Sequence, residues 1–432
     1  MPGKVADFLR AADLEPAERV ALDQGVIVRR GQGYTLRLTA ILAVRRGLLA
    51  RCQPLDGGQA VPAVPAQRKA AASTKTTSAP SRRPDQRSRA ASATSASTPS
   101  ASYLQSGELG VGFALTLAKH LLGRRFPEHS VTIVPADTAL RAGWALTSRD
   151  EGQRVKYRYR PQYFAEVWRP GEPSLVIPIA SKGNYGNAAT SAGQLASASV
   201  HAEAVHVGEW NETPSLLFST EIPTDGTVTV HALQTPGRGG SLVKPSGETE
   251  ANLDAKPVQE NVMPGIEPPP EGNVTLEPVP GCHVTPKYYT WFQEILGHTA
   301  AAGLMAFTGS GKATARHLTD RQGHKRFDGF EHAASGSVQD ISHELLGDTY
   351  AGTDHVFRLN GPRIEAFSGV DARLFRLLAE GQVEEYRAVV HAKRHTRPQL
   401  TWDKKWGGPV SVHSDGSVLA IRLLPGQPRP RH

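Results

Sequence analysis

The residues best suited to chemistry lie between Tyr157 and Val207. Arg158 and Arg160 sit on a predicted strand, and Lys182 follows the apolar run LVIPIAS at the head of the loop Gly183-Asn184-Tyr185-Gly186-Asn187. Guanidinium, ammonium and amide groups grouped this way suit phosphate oxygens. The Gly-rich MAFTGSGKATA invites a nucleotide phosphate loop, but GxxxxGK[ST] would need Gly at Ala306 and Ser or Thr at Ala313. A plain Gly-rich turn is the better expectation. His298, His317, His324, His332, His343 and His355 show no HExxH or comparable ligand spacing. His317, Arg321, His324, Lys325 and Arg326, interleaved with Phe327 and Phe330, read either as a DNA contact or as a wet surface over a core edge. Trp402 and Trp406 suit base stacking or a capped core, with core preferred.

Charge points to a polyanion. The chain of 432 residues carries a formal +8, and residues 1–103 hold 16 Lys or Arg against seven Asp or Glu. A basic arm ahead of a near-neutral body gains affinity for phosphates by releasing counterions. Arg45, Arg46, Arg82 and Arg83 are its paired arginines. Cys52 and Cys282 lie far apart with no CxxC partner, which supports neither a disulfide framework nor a cysteine zinc site. Carboxylates near the N-terminus, and the lack of any run of about 18 apolar residues, predict a cytoplasmic protein with no membrane partner.

The elements that must position these groups are α/β in pattern. Residues 1–56 read as a small basic α+β module, winged-helix-like, with VIVRRGQGYTLRL as two strands about a Gly-Gln-Gly turn. Residues 57–102, rich in Ala, Ser, Thr, Pro and Arg, cannot bury enough apolar surface to fold and read as a cationic linker. A core over 103–236 runs helix, three strands, helix, two strands. Its strand RPQYFAEVW alternates, whereas LVIPIAS suits a central strand covered on both faces. A Pro/Gly-rich linker follows over 237–285, then an α/β C-terminal domain over 286–425 with hairpins about Asn360-Gly361 and Asp415-Gly416.

The core resembles the restriction-endonuclease-like PD-(D/E)xK nucleases. Glu108 in SGELG stands on the first helix, RPQYF stands where RPDYF is expected, PIASKGN where PIExKGT is expected, and Gln194-Leu195 lie on the next helix. The resemblance implies a mixed-sheet core and Mg²⁺-dependent phosphodiester hydrolysis, with carboxylates on adjacent strands holding the metal and lysine orienting the water. Lys182 is kept, but Gln162 and Ala180 occupy the two acid positions. Relocated acids would have to come from Glu108 and Glu166 as metal ligands, with Glu203 as a further catalytic candidate beside Lys182. Three functions follow as expectations. The first is a DNA reader in restriction or host defence, contacting DNA through Arg158, Arg160, Lys182 and Asn184 and through Arg321, Lys325 and Arg326, as a monomer or homodimer. The second is an active endonuclease; the third is a scaffold with a basic tail.

Overall fold

The apolar run LVIPIAS becomes the middle of a mixed sheet, because helices cover both of its faces. The computed structural model describes residues 19–21, 29–30, 33–38, 99–143, 160–202, 204–208, 213–222, 228–235, 237–243, 282–328, 340–358, 363–395 and 399–424. Most of the N-terminal module, nearly all of the 57–102 linker and residues 244–281 lie outside them. Within the described N-terminal residues are three strands, β1 (Arg19–Ala21), β2 (Arg29–Arg30) and β3 (Gly33–Leu38). β2 and β3 form an antiparallel pair, and β3 pairs with the main sheet; Gly31 and Gln32 of the expected turn lie outside the described residues.

The long helix α1 (Pro99–Arg125) leads into β4 (Ser130–Pro135) and the short helix α2 (Ala136–Gly143). Then come β5 (Tyr163–Trp168), β6 (Leu175–Asn184), helix α3 (Ala188–Ala202), β7 (Val205–Val207), β8 (Ser215–Glu221) and β9 (Val228–Thr235). The eight-stranded sheet is ordered β1-β3-β9-β8-β6-β5-β4, with β2 on β3. β4, β5 and β6 form an antiparallel meander, and the crossover through α3 brings β8 parallel to β6.

One face packs under α1, where Phe113, Leu117 and Leu122 meet Tyr163, Ala165, Ile177, Ile179 and Phe218. The other face is shared. Leu195, Ala198 and Ala202 of α3 cover Ala180, Leu217 and Leu233. The rest is covered from beyond the Pro/Gly-rich connection: β10 (Cys282–Val284) pairs in parallel with β7, and α4 (Tyr289–Phe307) sets Phe292, Ile295 and Leu296 against Val134, Phe164 and Val176. Phe164 and Phe292 meet edge to face at 5.7 Å between centroids, the geometry their ring quadrupoles prefer. Every residue of β5 is therefore buried, although its sequence alternates. The covering helix lies more than 120 residues away in sequence, and local periodicity cannot register it.

After α4 a turn at Thr308-Gly309-Ser310 leads to α5 (Gly311–Arg316) and α6 (His324–Asp328). The Gly-rich stretch is thus a helix-to-helix turn, with Gly309 at φ 84°. The second sheet is antiparallel: β11 (Asp340–Leu345), β12 (Asp348–Arg358), β13 (Arg363–Asp371), β14 (Gln399–Asp403), β15 (Gly408–Val412) and β16 (Ser417–Leu424), ordered β11-β12-β13-β16-β15-β14. Between β13 and β14 come α7 (Ala372–Ala379) and α8 (Val383–Ala392), separated at Gly381, whose φ of 85° suits glycine. Both expected hairpins form, β12 to β13 and β15 to β16.

A third hairpin, β11 to β12, turns on Leu346-Gly347 with φ 53° and 92°. Its position is held because the Leu346 N–H donates to the Asp403 carboxylate at 2.7 Å. Together with the Lys405–Glu344 pair at 3.3 Å, that bond curls the two edge strands toward each other. Among the described residues no helix is long and apolar enough to cross a membrane.

Candidate phosphate-binding site at the end of strand β6

Alternation along β6 sends Ser181 and Gly183 toward α1 and Ala180, Lys182 and Asn184 toward α3. α1 sits close to the strand here: a Cβ at Gly110 would come 2.8 Å from the Gly183 Cα, so no larger residue fits without moving the helix. Ser181 and Thr220 hydroxyls donate to the Gly110 carbonyl at 3.4 and 3.3 Å. This contact fixes the strand end that carries Lys182.

The Lys182 side chain is half-buried, opposite Ser219 on β8, and pairs with no described carboxylate. Its neighbour across the face is His201 on α3. His201 Nδ1 lies 3.1 Å from the Arg160 carbonyl, which can only accept, so that nitrogen carries the proton. Burial, then the positive charge of Lys182, hold the His201 imidazole below its ordinary pKa, against the hydrogen bond to the Arg160 carbonyl, which acts in the opposite direction. Arg160 and Arg141 share one carboxylate, Asp137 at the start of α2, at 2.5 and 3.0 Å. Two guanidinium groups thus meet one described carboxylate at the start of α2, and Lys182 pairs with no described carboxylate. Gln322, next to Arg321, donates to the Thr138 carbonyl at 2.9 Å, which ties the basic stretch after α5 to the same helix.

Asn184 does not face a ligand. It is buried; its amide nitrogen lies 3.1, 3.0 and 3.3 Å from Ser191 Oγ, Gln194 Oε1 and Ser219 Oγ, and its oxygen accepts from the Gly186 N–H at 2.9 Å. Gln194 in turn donates to the Gly183 carbonyl at 3.2 Å. The network shapes the loop and leaves Tyr185 outward. Asn187 caps α3 by accepting from the Thr190 N–H at 3.1 Å, so the positive end of that helix opens beside the loop.

The two acid positions of the resemblance are filled by structural groups. Gln162 Nε2 donates to the Ser181 carbonyl at 2.7 Å, and the Ser181 N–H donates to Gln162 Oε1. A primary amide completes the strand pairing here with one donor and one acceptor; a carboxylate would face a carbonyl oxygen instead. Ala180 is packed under α3.

Glu166, expected as a relocated metal ligand beside Lys182, is placed elsewhere. On β5 it stands opposite Val176, six residues before Lys182 on β6, about 20 Å along the strand. It is fully buried (0 % exposed). Arg387 of α8 grips it through Nη2 at 2.8 Å and Nη1 at 3.2 Å, and Ser174 Oγ donates to it at 2.6 Å. The guanidinium also lies 4.0 Å from the Trp168 ring centroid. Three donors, two of them on this stacked guanidinium, thus hold both carboxylate oxygens, and the cation's place is taken by Arg387. Glu108 lies on α1, in the layer opposite the Lys182 side chain, and Glu203 lies outside the described residues. Among the described residues no three His, Cys, Asp or Glu side chains gather into a metal-holding group. The described groups around Lys182 therefore do not fit a magnesium ion.

The other expected DNA contacts are dispersed. Arg45, Arg46, Arg82, Arg83 and Arg158 lie outside the described residues. Arg321, Lys325 and Arg326 belong to the turn before α6 and to α6 itself; Lys325 and Arg326 are exposed, Lys325 lies 3.7 Å from Asp320, and Phe327 is core with Ala302, Ala315 and Leu318. His317 of the same stretch is buried, bonded to the Leu378 carbonyl at 2.8 Å, and burial holds its pKa down to about 4. Of the alternatives for this stretch, its anchoring residues follow the core-edge pattern.

The residue that sequence reasoning missed is His201. It stands seven residues, two helical turns, after Gln194, and that spacing was the available signal. No protein-family model, no curated protein and no solved structure matches this chain.

Proposed function

We propose that this chain is a DNA-binding protein whose first sheet has the restriction-endonuclease-like arrangement and holds DNA by its phosphate backbone without cutting it. The order of α1, the strand after Gln162, the strand bearing Ala180 and Lys182, the helix bearing Gln194-Leu195 and the parallel strand β8 supports the resemblance. One observation carries the reading: Lys182 is half-buried and faces no described carboxylate, while both acid positions around it are taken by an amide bonded to backbone and by alanine. A half-buried lysine that pairs with no described carboxylate is suited to a phosphate already present, as a point charge with three donors. Recognition of DNA in restriction or host defence is the role such a reader would serve.

In this reading a backbone phosphate accepts from the Lys182 ammonium, with the Arg160–Asp137–Arg141 cluster beside His201 contributing to the surrounding field. His201, neutral and proton-bearing on Nδ1, positions Arg160 through its carbonyl.

The test is duplex binding across a salt series, with and without Mg²⁺ or Mn²⁺. Lys182→Ala is expected to weaken binding about tenfold for any sequence and to lower the slope of log affinity against log salt by about 1. Strand cleavage abolished in Lys182→Ala would establish the endonuclease instead. Absence of any salt-dependent binding would leave the scaffold.

A further inference from the structure

The two tryptophans of LTWDKKWGG part company. Trp406 is 5 % exposed and packs inside the curl of the second sheet, 5.0 Å from the His343 ring and 6.4 Å from Phe367. Trp402 is 64 % exposed, on β14, the last strand of that sheet. Leu400, two residues earlier and on the same face, is 46 % exposed, and Leu423 on β16 is 69 % exposed. An indole left this open is unusual for a side chain that ordinarily buries most of its area.

The surroundings are basic. Residues 391–405 contain Lys393, Arg394, Arg397, Lys404 and Lys405 against one acid, Asp403. That acid is turned inward and accepts from the Leu346, Lys405 and Trp406 N–H groups at 2.7, 2.7 and 2.9 Å. Arg394 is paired with Glu128 at 2.7 Å and Lys405 with Glu344 at 3.3 Å. Lys393 and Lys404 are exposed, and neither pairs with a described carboxylate. An exposed aromatic face with an exposed lysine two residues along the chain, Lys404, matches a polymer with one anionic and one stackable group per unit.

We infer that the outer face of β14, with Trp402 as platform and the neighbouring Lys404 as a phosphate contact, binds single-stranded nucleic acid. Bases of an intact duplex are stacked on one another and cannot lie on a sheet side chain, whereas unpaired bases of any sequence can. The inference goes beyond the Lys182 site and does not depend on it.

The experiment uses the full chain and an oligothymidylate of about 12 nucleotides, followed by anisotropy and by tryptophan fluorescence. Trp402→Ala is expected to weaken oligothymidylate binding about tenfold and to remove most of the binding-induced quenching, while Trp402→Phe keeps most of the affinity. Duplex binding should not change. A melting curve matching the wild type checks that the variant is folded, as expected for so exposed a side chain. Equal oligothymidylate binding by wild type and Trp402→Ala overturns the inference, and so does the absence of any binding. Vesicles containing phosphatidylserine that bind the wild type but not Trp402→Ala, with oligothymidylate binding intact, also overturn it and assign the face to a lipid surface. Because Lys182→Ala is read on duplex and Trp402→Ala on single strands, failure of one reading leaves the other standing.

Discussion

Glu166 and Lys182 lie on the same face of one sheet, yet their environments are opposite. Glu166, in the middle of β5, is enclosed by α4 and α8 and meets a hydroxyl and one bidentate guanidinium, itself stacked on an indole. Lys182, near the end of β6, is half-buried with no described partner of opposite charge. A charge that is fully paired and desolvated holds layers together; one that is shielded from water but unpaired is available to a ligand. By that contrast, Glu166–Arg387 joins the first sheet to the second half of the chain, and Lys182 is the group proposed to meet DNA.

The contrast breaks first at the buried pair. Glu166→Ala or Arg387→Ala leaves the remaining charge uncompensated inside the protein and is expected to destabilise it by about 3–5 kcal/mol. The double replacement Glu166→Leu with Arg387→Met should recover most of that loss, measured by denaturant titration. If the single variants melt like the wild type, the pair does not join the halves. A smaller effect is expected at Gln162. Gln162→Glu keeps the length but sets a carboxylate against the Ser181 carbonyl, and a loss of about 1–3 kcal/mol should appear in the same titration. A stable Gln162→Glu protein that gains Mg²⁺ affinity would mean the position is a vacated metal site rather than a strand clasp. The smallest change in stability belongs to Lys182→Ala, within about 0.5 kcal/mol, since no described ion pair is broken. A large loss there would move Lys182 into the structural class and take the DNA reading with it.

Much of the first sheet was legible locally. LVIPIAS as a central strand and the small-residue helix after Asn187 each carry their own signal in composition, as does the turn chemistry of the Asp415-Gly416 hairpin in the second sheet, whereas the continuation of the strand through Lys182 to Asn184 reads as loop. The β11–β12 hairpin did not, because a two-residue turn with both φ positive favours Asn, Asp or Gly, and Leu346 occupies one of those places. Its N–H is held by Asp403, 57 residues away, and a remote acceptor leaves no mark on the local pattern. Trp402 and Trp406, four residues apart, read alike in sequence, and only the turn at Asp403 sends one inward and the other out.

By itself the sequence determined the mixed α/β class, the basic N-terminal charge, the strand leading to Lys182, and the replacement of two acids by Gln162 and Ala180. The tertiary structure decided which charged residues are spent. Glu166 looked as available as Lys182 because side-chain parity along a strand gives the face but not the distance along it, nor what lies over it. The arginine that consumes Glu166 is 221 positions later in the chain. Burial and pairing of a charge are properties of packed layers, set by contacts between segments remote in sequence, and those contacts separate the clasp at Glu166 from the open lysine at the end of β6.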